Sequence, residues 1–277
     1  MSNLIIKHIG KCVAIMTLVV LVSCNTDSSQ KLAQHNWQLT WSDEFNGAAG
    51  DLPDASKWSY DIGTGNNGWG NNELEYYTNR PQNISMDGNG NLVITAIKES
   101  FQSSNYTSAR IKTKGILEQK YGRFEARLKT PFGQGLWPAF WMLGNNVDTA
   151  TWPLCGEIDI MELRGQAPNI IQSTLHGPGY SGNNGISGTN VLVNSRYDNQ
   201  FHLFAVEWNE NKIDFFVDNY LFKTIAKSDV ETKGQWVYDH PFFLILNVAV
   251  GGNFGGDPTN LTPFPQTMTI DYVRVYQ

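Results

Sequence analysis

Apolar residues along this chain recur at every second position, in short runs, rather than at the third and fourth positions that mark a helix. Alternating or continuous apolar stretches predict strands over residues 91–97, 109–112, 123–129, 139–143, 170–175, 201–208, 212–217, 242–250 and 267–276. After residue 36 no 3.6-residue period survives for three turns. Turn clusters such as Asp87-Gly88-Asn89-Gly90 and Asp218-Asn219 separate the runs. The pattern predicts an all-β sandwich of two packed sheets. Its clearest alternation, Arg123-Phe124-Glu125-Ala126-Arg127-Leu128, has one apolar and one charged face. Two Gly- and Asn-rich segments, 63–72 and 177–190, carry no strand pattern and are expected to rim a cleft.

One run breaks the pattern. Gly156-Glu157-Ile158-Asp159-Ile160-Met161-Glu162-Leu163 reads as a buried strand that nonetheless holds three acids. Strict alternation puts Glu157, Asp159 and Met161 on one face, and leaves Glu162 among Ile158 and Ile160 on the other. An unpaired carboxylate there costs several kcal/mol or stays protonated. A one-residue bulge between Asp159 and Glu162, with Met161 displaced, resolves the conflict and aligns Glu157, Asp159 and Glu162 on one face. Such a row has a chemical use: sugar-bond cleavage with retention needs two carboxyl groups roughly 5 to 5.5 Å apart. Asp159 would orient and tune Glu157.

The chain ends and the charge narrow the setting. Residues 1–23 carry Lys7, His8 and Lys11 before an apolar run that ends at Leu21-Val22-Ser23-Cys24, a secretory signal too short to span a membrane. The small residue before Cys24 resembles a bacterial lipoprotein signal, which makes Cys24 the expected lipidated first residue. The expectation is an exported lipoprotein at the outer membrane or cell surface, touching the membrane only through that anchor. Residues 24–36, rich in Ser, Asn, Gln and Asp, read as a tether, and 37–277 as one catalytic domain. Only Cys155 then remains in the body, as a small buried residue without a disulfide partner. Loss of Lys7 and Lys11 takes the formal charge from −6 to −8. That balance argues against nucleic acid or anionic polymers as partners.

All 9 tryptophans lie outside the signal, and Trp137, Trp141 and Trp152 cluster just upstream of the acidic run. Flat sugar C–H faces stack on indoles, and sugar hydroxyls want amide and charged partners, so a cleft of Trp, Asn and Arg suits a polysaccharide. Trp137 and Trp141 are assigned to that cleft, and Trp208, alternating with Phe204 and Val206, to the core.

Glu157-Ile158-Asp159-Ile160-Met161-Glu162 resembles the Glu-x-Asp-x-x-Glu motif of glycoside hydrolase family 16. Its flanks are similar to those of the laminarinase-like members, the endo-β-1,3-glucanases: Trp69-Gly70-Asn71-Asn72-Glu73-Leu74-Glu75-Tyr76-Tyr77-Thr78, Gly135-Leu136-Trp137-Pro138-Ala139-Phe140-Trp141-Met142-Leu143, Asn247-Val248-Ala249-Val250-Gly251-Gly252 and Ile270-Asp271-Tyr272-Val273-Arg274-Val275-Tyr276. The resemblance implies a concanavalin A-like jelly roll with a concave cleft, and retaining endo-hydrolysis of β-1,3- or mixed-linkage β-1,3-1,4-glucan. It implies Glu157 as nucleophile, Glu162 as acid/base, Asp159 as assisting carboxylate, and Trp137 and Trp141 as stacking residues. Asn72, Arg110 and His176 resemble hydrogen-bonding cleft residues. No cofactor is implied for catalysis; a structural calcium on Glu44, a carbonyl near Gly88 and Asp271 is. Two rival readings stay open: another polysaccharide such as agarose or carrageenan, with net transglycosylation beside it, and a non-catalytic glucan-binding protein. A monomer is the default.

Overall fold

The computed structural model describes residues 36–277, of which 37–277 form one compact unit. The expected signal, Cys24 and the tether up to residue 35 lie outside the described residues. Seventeen strands form two sheets. The ten-stranded sheet runs Tyr220–Ala226, Lys212–Val217, His202–Trp208, Gly122–Lys129, Gln266–Tyr276, Leu92–Phe101, Ser104–Ser108, Glu75–Tyr77; Leu39–Asp43 and Ile84–Met86 pair alongside Gln266–Tyr276 and Leu92–Phe101. The seven-stranded sheet runs Ile186–Val191, Ile170–His176, Glu157–Leu163, Leu136–Gly144, Phe242–Val250, Arg110–Lys112, Ser59–Asp61. Pairing is antiparallel except between Glu75–Tyr77 and Ser104–Ser108. The architecture is a sandwich of two β-sheets, as the apolar pattern predicts, and a jelly roll, as the resemblance implies.

The inner faces of both sheets meet in one apolar core that includes Phe124, Leu128, Phe204, Phe140, Met142, Ile158 and Leu244. Trp208 bridges the sheets, its ring 5.2 Å from that of Phe242, and it lies in the core as the sequence suggests. Phe242–Val250 is buried along its whole length, one face in the core and the other under the side chains of the open face.

One expectation changes. Segment 177–190 is not wholly a loop: Ile186–Val191 forms the edge strand, paired with Ile170–His176 through backbone groups that its polar sequence does not advertise. On the charged face of Gly122–Lys129, Arg123 and Glu125 are covered. Arg123 is buried and bonds Glu125 at 2.8 Å, Glu207 at 2.9 Å and Asn219 at 3.0 Å, while Tyr276 Oη donates to Glu125 at 3.1 Å. These groups satisfy one another across three strands. Arg123→Ala, which strands two carboxylates under cover, is expected to cost about 3 to 5 kcal/mol in a urea-unfolding measurement.

Candidate active site

Cross-strand partners share a face, so the strand register places every side chain of the seven-stranded sheet. Glu157 lies opposite His176 on one side and Leu143 on the other; Asp159 lies opposite Thr174 and Trp141; Glu162 lies opposite Gln172 and Ala139. From Asp159 to Glu162 the acidic strand takes three steps while its neighbour takes two, from Thr174 to Gln172. That extra residue is the expected bulge, and it brings all three acids to the open face. One detail is corrected: against Leu136–Gly144, Met161 keeps a partner in Phe140 and Ile160 is the residue left over. Met161 stays in the core. The bulge frees the Ile160 carbonyl, and the buried Ser173 hydroxyl donates to it at 2.6 Å. Gly156 starts the strand at φ 72, with Phe242 and Val237 only 2.9 and 3.0 Å from where a Cβ would stand, so only glycine fits that turn.

Each glutamate is held by an indole. Trp152 Nε1 donates to Glu157 Oε2 at 3.0 Å, and Trp137 Nε1 donates to Glu162 Oε1 at 2.9 Å. His176 Nε2 stands 3.2 Å from Asp159 Oδ2 and 3.7 Å from Glu157 Oε1. Three carboxyl groups in one poorly hydrated row cannot all ionise. Burial, then the neighbouring Asp159, pushes Glu157 up to about 8; burial pushes Asp159 up to about 8; burial, then Asp159 and Glu157, pushes Glu162 well above the usual carboxylate range. Glu157 has an indole N–H and the histidine on its side and is the best placed to carry the negative charge. Glu162 faces both other acids and is best placed to keep a proton. The pair can therefore divide the roles of nucleophile and acid.

The profile of Glycosyl hydrolases family 16 matches residues 70–274. A beta-glucanase of Rhodothermus marinus is 42% identical over 94% of this chain and 92% of its own length. The chain belongs to glycosyl hydrolase family 16. The laminarinase catalytic domain of Thermotoga maritima superposes with a TM-score of 0.83 at 46% identity, over 88% of this chain and 99% of that one. The glucan endo-1,3-beta-glucosidase A1 of Niallia circulans is 38% identical over 92% of this chain, which spans only 40% of that longer protein.

Family 16 enzymes generally need no cofactor for catalysis. Glu157, Asp159 and His176 do converge, each with a ligand-type atom within 4.8 Å of the others, and two of the three belong to the acidic row. The calcium expected on Glu44, Gly88 and Asp271 finds no cage of free oxygens. Glu44 accepts both arms of Arg274 at 2.9 and 2.8 Å, which holds its carboxyl below the usual range, and Asp271 is paired with Arg127. Two acids already neutralised by guanidinium groups do not suit a hard cation.

The remaining expected residues divide. Trp137 and Trp141 are half-buried on the open face, and His176 sits among the acids. Arg110 is on that face and is charge-paired: its Nε lies 2.9 Å from Asp61 Oδ2, and its guanidinium is sandwiched between Trp69 and Trp141. Asn72 is in segment 63–72, as expected of a rim residue, and donates to Asn253 at 2.9 Å. Trp152, which holds Glu157, stands in the expected Trp cluster but was not among the site residues. Asn247 accepts from the Trp141 indole at 2.8 Å and donates to Tyr77 at 3.0 Å, so both lie directly behind the open face, and nothing in their spacing says so. Cys155 is buried and its thiol is pushed up to about 11, so it is no nucleophile.

The raised carboxyls bind protons more tightly folded than unfolded, so stability falls as pH rises from the ordinary value of 4.5 toward about 8. Tm followed by calorimetry should drop across that window. Glu157→Gln, which cannot ionise, should flatten the drop and exceed the parent in Tm at pH 8 while matching it near pH 4.5.

Proposed function

We propose that the protein is a retaining endo-hydrolase of β-1,3-glucan that tolerates mixed β-1,3-1,4 linkage. The observation that carries this is the Glu157, Asp159, Glu162 row on the open face of a laminarinase-like jelly roll, with each glutamate bound by an indole N–H. Glu157 attacks the anomeric carbon and forms an ester with the sugar as the glycosidic C–O bond breaks. The proton of Glu162 goes to the leaving oxygen. Water then attacks the same carbon, gives its proton to Glu162 and restores Glu157, so two inversions give net retention. Asp159 holds a proton beside Glu157 and lowers the repulsion that a second charge would add.

Trp141 and Trp137 offer stacking surfaces, and Gln172, Thr174 and Ser187, joined at 3.0 to 3.3 Å, offer hydroxyl-matching groups beyond the acids. A sulfated galactan would call for free basic groups, yet Arg110 and Lys112 on this face are both paired with Asp61. A non-catalytic binder has no use for three costly buried acids.

Glu157→Ser should remove reducing-end release from laminarin by at least about 10³-fold while circular dichroism stays unchanged. Proton NMR of early parent products should show the β anomer. Retained hydrolysis in the variant, or early α product, overturns the assignment; parallel digests of lichenan and agarose set the linkage.

The leader pattern supports export and lipid attachment at Cys24. Cys24→Ala should move activity from the detergent-soluble membrane fraction to the aqueous one, read by phase partition in Triton X-114.

A further inference from the structure

The two cleft indoles are wired differently. Trp137 holds Glu162, whereas Trp141 is itself held. Its Nε1 donates to Asn247 Oδ1 at 2.8 Å, Asn247 Nδ2 donates to the Tyr77 hydroxyl at 3.0 Å, and that hydroxyl donates to Glu73 Oε2 at 3.0 Å. Asn71 Nδ2 donates to the other oxygen of Glu73 at 3.3 Å. Every bond in the relay points the same way, from indole to carboxylate. A carboxylate has no proton to give, so the Tyr77 hydroxyl donates to Glu73, and that fixes which end of the Asn247 amide meets Trp141.

A second set of contacts closes the relay into a ring. The Arg110 guanidinium lies 4.8 Å from the Trp141 ring and 4.7 Å from that of Trp69, and Trp69 lies 5.6 Å from Tyr77. Asp61 anchors Arg110 at 2.9 Å. Arg110 therefore occupies one face of Trp141 and leaves the other for a ligand. Tyr77 is fully buried and Asn247 nearly so. An apolar core would have filled the same volume without the cost of dehydrating an amide and a phenol.

We propose that Glu73, Tyr77 and Asn247 are positioning residues that set the tilt of Trp141, and through it the affinity of the sugar ring that stacks there. This rests on the reading that a β-glucan lies across the open face. The relay acts on binding and leaves the chemistry at Glu157 and Glu162 unchanged.

The test uses Tyr77→Phe, which removes one hydroxyl, and Glu73→Gln, at a partly exposed position that keeps one acceptor oxygen. Tyr76→Phe, on the ring that packs against Phe101, is the control. Kinetics on laminarin are combined with ¹⁵N–¹H spectra of the indole groups, the Trp141 signal being assigned by its loss in Trp141→Phe. Tyr77→Phe should raise KM about fivefold with kcat within about twofold, and should shift the Trp141 Nε1–H signal. Glu73→Gln should shift it the same way by less, and Tyr76→Phe should leave it in place. An unmoved Trp141 signal with unchanged KM in Glu73→Gln and in a folded Tyr77→Phe overturns the relay; so does a fall in kcat at constant KM. If Tyr77→Phe does not fold, Glu73→Gln decides alone. Should saturating laminarihexaose leave the parent's Trp141 signal unmoved, the stacking reading fails as well.

Discussion

Dehydrating three carboxyl groups side by side on one strand is the cost around which this molecule is arranged. The strand interior supplies no counter-charge; Ile158, Ile160, Met161 and Leu163 pack into the core beneath the acids. Relief has to come from the open face. It comes as two indole N–H groups, one histidine and retained protons, rather than as lysine or arginine. That choice keeps the acids near the point where a proton can leave one and stay on another. A guanidinium beside Glu162 would have favoured its anion and worked against the proton that burial and the other two acids keep on it.

The same economy explains the tryptophans. An indole offers one N–H, no acceptor and a broad flat ring, so a single side chain can hold a carboxylate with its edge and offer its face to a sugar. Trp137 does the first for Glu162 and also packs 5.1 Å from Phe254. Arginine, by contrast, is used where charge must be cancelled. Arg123 and Arg274 knit acids on the ten-stranded sheet, and Arg110 is paired with Asp61 under the cleft rim.

Much of the fold was legible because burial imposes alternation. Segments 212–217 and 242–250 match their strands at both ends, and the acidic run announced its bulge through a broken pattern. What stayed hidden follows from physical causes as well. Ser59–Asp61, Glu75–Tyr77 and Ile186–Val191 are short or edge strands whose pairing depends on backbone groups, and Gly or polar side chains give them no apolar signature. The acidic row was readable because acids in an apolar strand are costly, but Tyr77 acts through a contact with Asn247, in a segment far away in sequence. Local spacing does not encode such contacts. Glu44 and Asp271 show the converse: the residue types suit a cation, and only the three-dimensional neighbours show that each is paired with an arginine.

The bulge has a consequence for how this site can change. A strand counts in twos, so whether an acid faces substrate or core is a question of parity. Substituting a side chain cannot alter it. Losing Met161 restores an even count, since Glu157, Asp159 and the displaced acid would then alternate regularly on the same face with no bulge. The two spacings of the acid pair that keep both groups in the cleft are thus separated by one deletion and no inverted intermediate. A lineage could pass from one to the other while the sheet above and below stayed as it is.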